Sequence, residues 1–337
     1  MHSIKFLIIA GLAATAMPAA VPSYGVSSSI PIPDGGWDYA SFDTETHEVL
    51  VARGDNVTAV NVARASPARS FGSISHGHAA LPLPSGRLAV TSGKDNTLRL
   101  FDLGDGKQLA SVAVGEDPDA AILDQRTGNV LVMDAHEGTV AVVDPKSAKL
   151  LRKIALKPGL EYAAVDRRGA LFVNNEDLNR IDVVDSATGV VAAPIALAGC
   201  EGPSGLAYDP RTDRLIAACS NGKAAVVDAR GRKLVGLLDI GRGPDAVLLD
   251  SARHLAFIPC GRDGTLVQIG LDGAQGPHVL ATIKTETGAR TGAIDPADGT
   301  IYLPTARFGP PPAAGGRPVA IPGTAHLVVV KTAASGK

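Results

Sequence analysis

The 337-residue chain predicts an all-β fold, a seven-bladed β-propeller closed by pairing of its N-terminal strand with the C-terminal blade. Three observations carry that expectation. Apolar stretches end at Asp43, Leu83, Asp124, Asp166, Asp209, Asp250 and Asp295, so one unit returns with a period slightly above 40 residues, the length of a propeller blade. Each unit breaks into four short apolar segments separated by Gly, Pro, Asp and Asn, the punctuation of strands and tight turns. Helical periodicity is nearly absent beyond the first residues.

Residues 1–20 begin Met-His-Ser-Ile-Lys, continue through the apolar run 6–17, and reach small residues at Ala14, Ala16, Ala19 and Ala20. That order predicts a secretory signal peptide, hence a periplasmic or secreted protein with no membrane span in the mature chain. The propeller is expected over residues 26–331, followed by a tail over 332–337.

Within the repeat, Gly202-Pro-Ser-Gly-Leu-Ala-Tyr-Asp209 returns as Gly243-Pro-Asp-Ala-Val-Leu-Leu-Asp250 and as Asp117-Pro-Asp-Ala-Ala-Ile-Leu-Asp124. We letter the strands of each unit a to d. The third strand ends in Asp102, Asp144, Asp185 or Asp228 before a turn, where the side chain can accept from turn backbone; these aspartates are read as structural. The last unit lacks a d strand, because the chain stops soon after His326-Leu-Val-Val-Val-Lys331. Residues 26–32 have the character to supply it, which would remove the open edges of the ring. A Pro/Gly-rich loop, 308–323, is inserted between strands b and c of that unit; it predicts either a lid over the b–c face or a surface strap.

These units resemble the YVTN-repeat (YncE-like) propeller family. The resemblance rests on the Gly-Pro starts and on second strands such as Leu171-Phe-Val-Asn-Asn175, Leu88-Ala-Val-Thr-Ser92, Val130-Leu-Val-Met-Asp134 and Ile301-Tyr-Leu-Pro-Thr305, across essentially the whole mature chain. Lys94-Asp-Asn-Thr-Leu-Arg-Leu-Phe-Asp102 also resembles a WD40 repeat, with Phe101 where that family places tryptophan; the single Trp, Trp37, lies elsewhere. The family resemblance implies an exported bacterial propeller of uncertain biochemical role, so it speaks to fold more than to function.

Lys plus Arg (32) nearly balance Asp plus Glu (34), which leaves no basic field for a nucleic-acid backbone. No nucleophile elbow, Walker sequence or H-E-x-x-H is present, so chemistry must come from residues that different blades bring together. Strands a and b run antiparallel, and the start of a and the end of b are expected at one face near the channel. The a-strand starts are Asp38, His78, Asp119, Glu161, Ser204, Asp245 and Arg290; the b-strand ends are Arg53, Ser92, Asp134, Asn175, Cys219, Cys260 and Thr305. As two stacked rings they predict a polar, mostly acidic mouth, with Asp38, His78, Asp119, Glu161, Asp245, Arg290, Arg53, Asp134 and Asn175 as ligand-binding candidates.

The first functional expectation is a monomeric module, without cofactor, that binds a small molecule or a periplasmic protein there. One alternative is a lactonase-type hydrolase with Ca²⁺ or another divalent cation on Glu161, Asn175, Asp134 and Asp245. Another is an accessory subunit of a periplasmic redox enzyme. His76 and His78 could begin a metal site, although the repeat places no third histidine beside them. The three cysteines permit at most one bridge; Cys219 and Cys260, at equivalent positions of neighbouring units, are expected as free thiols.

Overall fold

The computed structural model describes residues 22–64, 67–273, 276–311 and 318–333. The expected signal peptide, the middle of the 308–323 loop and the last residues of the tail lie outside them. The described residues form seven four-stranded antiparallel sheets. In chain order the blades are 1 (40–71), 2 (80–113), 3 (118–155), 4 (160–196), 5 (203–239), 6 (248–284) and 7 (293–332 completed by 24–31).

Strand character follows position in the blade. In blade 3, strands b (Asn129–Asp134) and c (Thr139–Asp144) are buried almost throughout, because neighbouring blades cover both of their faces. Such strands read as continuous apolar runs rather than as alternation. Strand d of the same blade, Lys149–Ala155, lies on the outer rim and is mostly exposed. Packing between blades 4 and 5 is typical of the core: Phe172, Ile181, Val183, Leu206, Leu215 and Val227 fill one apolar layer.

The repeated aspartates hold turns, as expected. Asp209 accepts from the Thr212 hydroxyl at 2.5 Å and from the Arg211 amide at 3.2 Å in an a–b turn. In c–d turns Asp102 accepts from the Gly104 amide at 2.8 Å and Asp185 from the Thr188 amide at 2.7 Å.

Closure is by strand exchange between the termini. Tyr24–Pro31 pairs antiparallel with His326–Thr332, with a bulge between Val26 and Ser28. The strand starts two residues before the expected segment, and Ile32 beyond it still donates its amide to the Ala325 carbonyl at 3.0 Å. Tyr24 also packs its ring edge-on against Phe257 of blade 6 at 4.8 Å. The two described arms of the 308–323 loop pair with each other, Gly309 N–H donating to the Val319 carbonyl at 2.9 Å and Ile321 N–H to the Arg307 carbonyl at 2.8 Å. Asp34 ties the hairpin to the entry segment of blade 1 through the Gly323 amide at 2.6 Å.

Candidate functional site

Six of the seven a-strand starts, all but the buried Ser204, gather at a common channel mouth. The cause is a register shift at the start of strand a: between Pro118 and Ala120, between Leu160 and Ala163, and between Pro203 and Leu206. Asp119, Glu161 and Ser204 sit in these bulges, and a bulge re-aims a side chain out of the regular pleat.

The same register moves the b-strand ends elsewhere. Asp134 opposes Pro118 rather than Asp119, Asn175 opposes Leu160 rather than Glu161, and Cys219 opposes Pro203 rather than Ser204. Because strand side chains alternate, an offset of one residue sends a side chain to the other side. The expected second ring therefore does not line the mouth: its seven members, from Arg53 to Thr305, are at most 2% exposed. They anchor the loops that enter each blade. Arg53 donates to the carbonyls of Pro33 (2.7 Å), Gly35 (3.0 Å) and Gly36 (3.0 Å) and to Thr58 Oγ1 (3.1 Å). Ser92 Oγ accepts from the Ser75 amide at 2.9 Å. Asn175 donates to the carbonyls of Lys157 and Pro158, and Thr305 to that of Thr287. Asp134 accepts from Thr139 Oγ1 at 2.8 Å and from the Gly115 amide, and burial pushes its carboxyl up to about 7.

At the blade 5 anchor the link is covalent. Cys219 is bonded to Cys200, with Cα atoms 5.4 Å apart, which corrects the expectation of a free Cys219 thiol. Equivalent positions on neighbouring blades do not meet; the partner comes from the entry loop of the same blade. Cys260 is the free, buried cysteine, its thiol pushed up to about 11 chiefly by burial.

The inner ring is an incompletely neutralised acidic cluster. His78 Nδ1 lies 2.8 Å from Asp38 Oδ2 and 3.1 Å from Asp119 Oδ1. Arg290 Nε lies 2.7 Å from Asp245 Oδ2, and its Nη2 lies 3.8 Å from Asp38 Oδ1. Glu161 pairs with no basic side chain among the described residues; it accepts from the Tyr39 hydroxyl at 3.3 Å. Tyr39, a buried residue that the repeat pattern did not single out, packs on Tyr162 at 4.9 Å. Burial, reinforced by the surrounding carboxylates, holds Glu161 well above the usual range and lifts Asp245 to about 6. Asp119 is likewise raised, by burial and by Asp38 against the opposing pull of His78. Burial works against the charge on His78, yet its hydrogen bond with Asp38 and the field of Asp119 raise its pKa. The ring backbone is pinned from behind, with Thr291 Oγ1 donating to the Asp38 carbonyl at 2.7 Å and Thr91 Oγ1 to that of Asp119 at 3.0 Å.

Beside Arg290 opens a cleft of about 550 Å³, lined by Trp37, Ala306, Phe308, Ile321 and Pro322. Trp37 and Phe308 lie 6.3 Å apart with tilted rings. The inserted loop thus emerges on the face of the acidic ring and supplies an apolar wall next to it. Trp37 could have been noticed as the lone tryptophan adjoining a ring position, but only the folded loop shows what it faces.

Asp38, His78, Asp119, Glu161, Asp245 and Arg290 are therefore gathered at the mouth, while Arg53, Asp134 and Asn175 are not. Glu161, Asn175, Asp134 and Asp245 do not form one donor set, because Asn175 and Asp134 bind loop backbone. Among the described residues, the donor atoms of Asp38, His78 and Asp119 do lie within 4.8 Å of one another. No helix of the described residues is long and apolar enough to cross a membrane.

No protein-family model matches the chain, and no curated protein matches it. Solved structures do. A chain of the mitotic checkpoint complex is similar with a TM-score of 0.73 at 12% identity, over 90% of this chain and 95% of that one. Virginiamycin B lyase from Staphylococcus aureus gives 0.72 at 11% identity, over 92% and 99%. Kuenenia stuttgartiensis hydrazine synthase gives 0.69 at 13% identity, over 82% and 94%. At such identities the likeness establishes a propeller architecture and nothing about chemistry.

Proposed function

We propose that this chain is an exported, periplasmic or secreted binding module whose channel mouth takes a small organic cation. The observation that carries the reading is the convergence of Asp38, Asp119, Glu161 and Asp245 on one mouth, with Arg290 and His78 the only basic side chains paired with them among the described residues. Carboxylates whose ionised forms are disfavoured by burial and mutual repulsion gain most from a bound positive charge. The adjacent cleft supplies Trp37 and Phe308, so an ammonium group among the carboxylates could lay its hydrocarbon part along apolar wall and an aromatic face. The Cys200–Cys219 bond supports the export part of the reading, since such bonds persist mainly in oxidising compartments. The names of the similar structures include two enzymes and one assembly, so the scaffold itself favours neither role.

Titration calorimetry with putrescine and with tetramethylammonium as probes tests this. Glu161→Gln combined with Asp245→Asn should weaken binding at least tenfold, with a melting temperature equal to or above that of the parent. Probes that do not bind, or that bind the double variant as tightly as the parent, would remove the mouth as the site.

A further inference from the structure

Just outside the acidic ring, the entry loops of blades 2 and 3 bring together a second set of donors that shares only His78 with the ring, through that residue's other nitrogen. His76 Nδ1 lies 3.0 Å from His78 Nε2, and Asp117 Oδ1 lies 3.7 Å from the same His78 nitrogen. The donor atoms of His76, His78 and Asp117 all lie within 4.8 Å of one another. His136, on the b–c turn of blade 3, has its Nδ1 3.8 Å from Asp117 Oδ2, with a side chain 78% exposed.

We propose that His76, His78 and Asp117 bind a zinc-type transition-metal ion, with His136 as the fourth donor. Two imidazole nitrogens on a tetrahedral zinc, each at about 2.0–2.1 Å, stand roughly 3.4 Å apart. The His76–His78 separation therefore needs to open by only a few tenths of an ångström. Two or three imidazoles with one carboxylate is also the donor softness that selects zinc-like ions over calcium or magnesium.

The surroundings of His78 point the same way. Its other nitrogen, Nδ1, is held by Asp38 at 2.8 Å and by Asp119 at 3.1 Å. A ligating histidine ordinarily donates its second N–H to a carboxylate, which fixes the tautomer and leaves the opposite nitrogen as the lone-pair donor. Here that opposite nitrogen is Nε2, the one that faces His76 and Asp117. With His78 Nε2 as a lone-pair donor, the proton between the two rings sits on His76 Nδ1, and it would move to His76 Nε2 by exchange with solvent as the ion enters.

Gly93 leaves the space for it. A Cβ at that position would stand 2.6 Å from Asp117 Oδ1 and 3.1 Å from His78 Nε2, between two of the donors. Every other residue type carries that atom, so the gap between the donors depends on this glycine.

The inference does not rest on the organic-cation reading: Asp38 and Asp119 enter it only by orienting His78, and Glu161, Asp245 and the Trp37 cleft take no part in it. The test uses untagged full-length protein, stripped with chelator and titrated with zinc by calorimetry, with cobalt as the spectroscopic substitute. The parent should take up one equivalent, and the cobalt form should show the intense visible bands of a tetrahedral site. His76→Ala and Asp117→Asn should each weaken zinc binding at least a hundredfold without changing the melting temperature of the metal-free protein. Asp38→Asn should weaken it roughly ten- to a hundredfold through the orientation of His78. Glu161→Gln should leave it unchanged. No stoichiometric zinc in the parent overturns the assignment. So does retention of zinc by His76→Ala together with its loss in Asp119→Asn, which would place the ion among Asp38, His78 and Asp119.

Discussion

Arg53 offers the sharpest test of how the b-strand ends work, because lining the mouth and anchoring a loop predict opposite signs. Its guanidinium is buried and donates to three carbonyls of the segment leading to Trp37 and Asp38, and to Thr58 Oγ1. Replacement by methionine keeps an unbranched apolar stem in the buried position and removes all four bonds. Each hydrogen bond to a charged group contributes about 1.5–3 kcal/mol, but Pro33, Gly35 and Gly36 are exposed residues whose carbonyls can turn to water once released. The net loss should be about 3 kcal/mol, nearer the sum of several neutral bonds. At roughly 2 °C per kcal/mol for a chain larger than 250 residues, Arg53→Met should melt about 6 °C lower. Binding of putrescine should weaken as well, since the released segment carries Trp37 and Asp38. Were Arg53 part of the mouth, removal of a positive charge from an acidic site would tighten cation binding and spare stability. Thermal unfolding and calorimetry on the same protein decide the matter. A melting temperature within a degree of the parent, with tighter binding, would refute the anchor assignment.

Cys219→Ser should cost about 3 kcal/mol, the loop-closure value for a bridge spanning 19 residues, while thiol titration of the unreduced, denatured parent should find one thiol, that of Cys260. Three thiols would mean that the bond is absent in solution. Deletion of residues 22–31 should lower melting by about 10 °C or more, because the outer strand of blade 7 and the Tyr24–Phe257 contact are lost together and an edge is opened; unchanged melting would show that the ring closes without it. Cation binding should weaken as pH falls from 8 to 5. The Asp245 carboxyl, which faces Asp38, Arg290 and Glu176, is raised from 3.8 to about 6 and so loses its charge in that interval. The same shift has the opposite sign for the free protein. A group protonated more readily when folded adds stability as pH falls through 6 toward 3.8, so the unliganded chain should melt no lower for this group at pH 5.5 than at pH 8. Affinity that rises on acidification would take Asp245 out of the site.

Much of this architecture was legible in the residues. The recurrence from Asp43 to Asp295 marks blades because every unit needs an a–b turn, and an Asp side chain is the cheapest acceptor for its amides. The missing d strand at one end and the spare strand at the other are both visible as apolar segments, so closure could be deduced. The channel-facing identities of Asp38, His78, Asp119, Glu161, Asp245 and Arg290 followed from their equal offsets within the repeat. What did not follow was the partner ring. Antiparallel pairing places the start of a beside the end of b, but a bulge of one residue reverses which side chain faces the axis, and no residue type announces such a bulge. The Cys200–Cys219 bond was hidden for a different reason: the repeat relates Cys219 to Cys260 one blade away, whereas its contact is the entry loop of its own blade.

The chemical variety at the b-strand ends shows why no motif marks them. Arginine, serine, aspartate, asparagine, a disulfide and threonine all perform one task, which is to hold the loop entering the blade against the end of strand b. The fold requires an anchor there and not a particular group. Those loops are the segments that carry the chemistry at the mouth. Ser92 fixes Ser75 beside His76, Asp134 fixes Gly115 two residues before Asp117, and Arg53 fixes Gly36 beside Trp37. A binding constellation needs supports that hold its side chains to within a fraction of an ångström. In this propeller the supports lie one residue out of register from the groups they serve, buried where the ligand never reaches. Substitutions at the ring should therefore change affinity with little effect on melting, and substitutions at the anchors should change both.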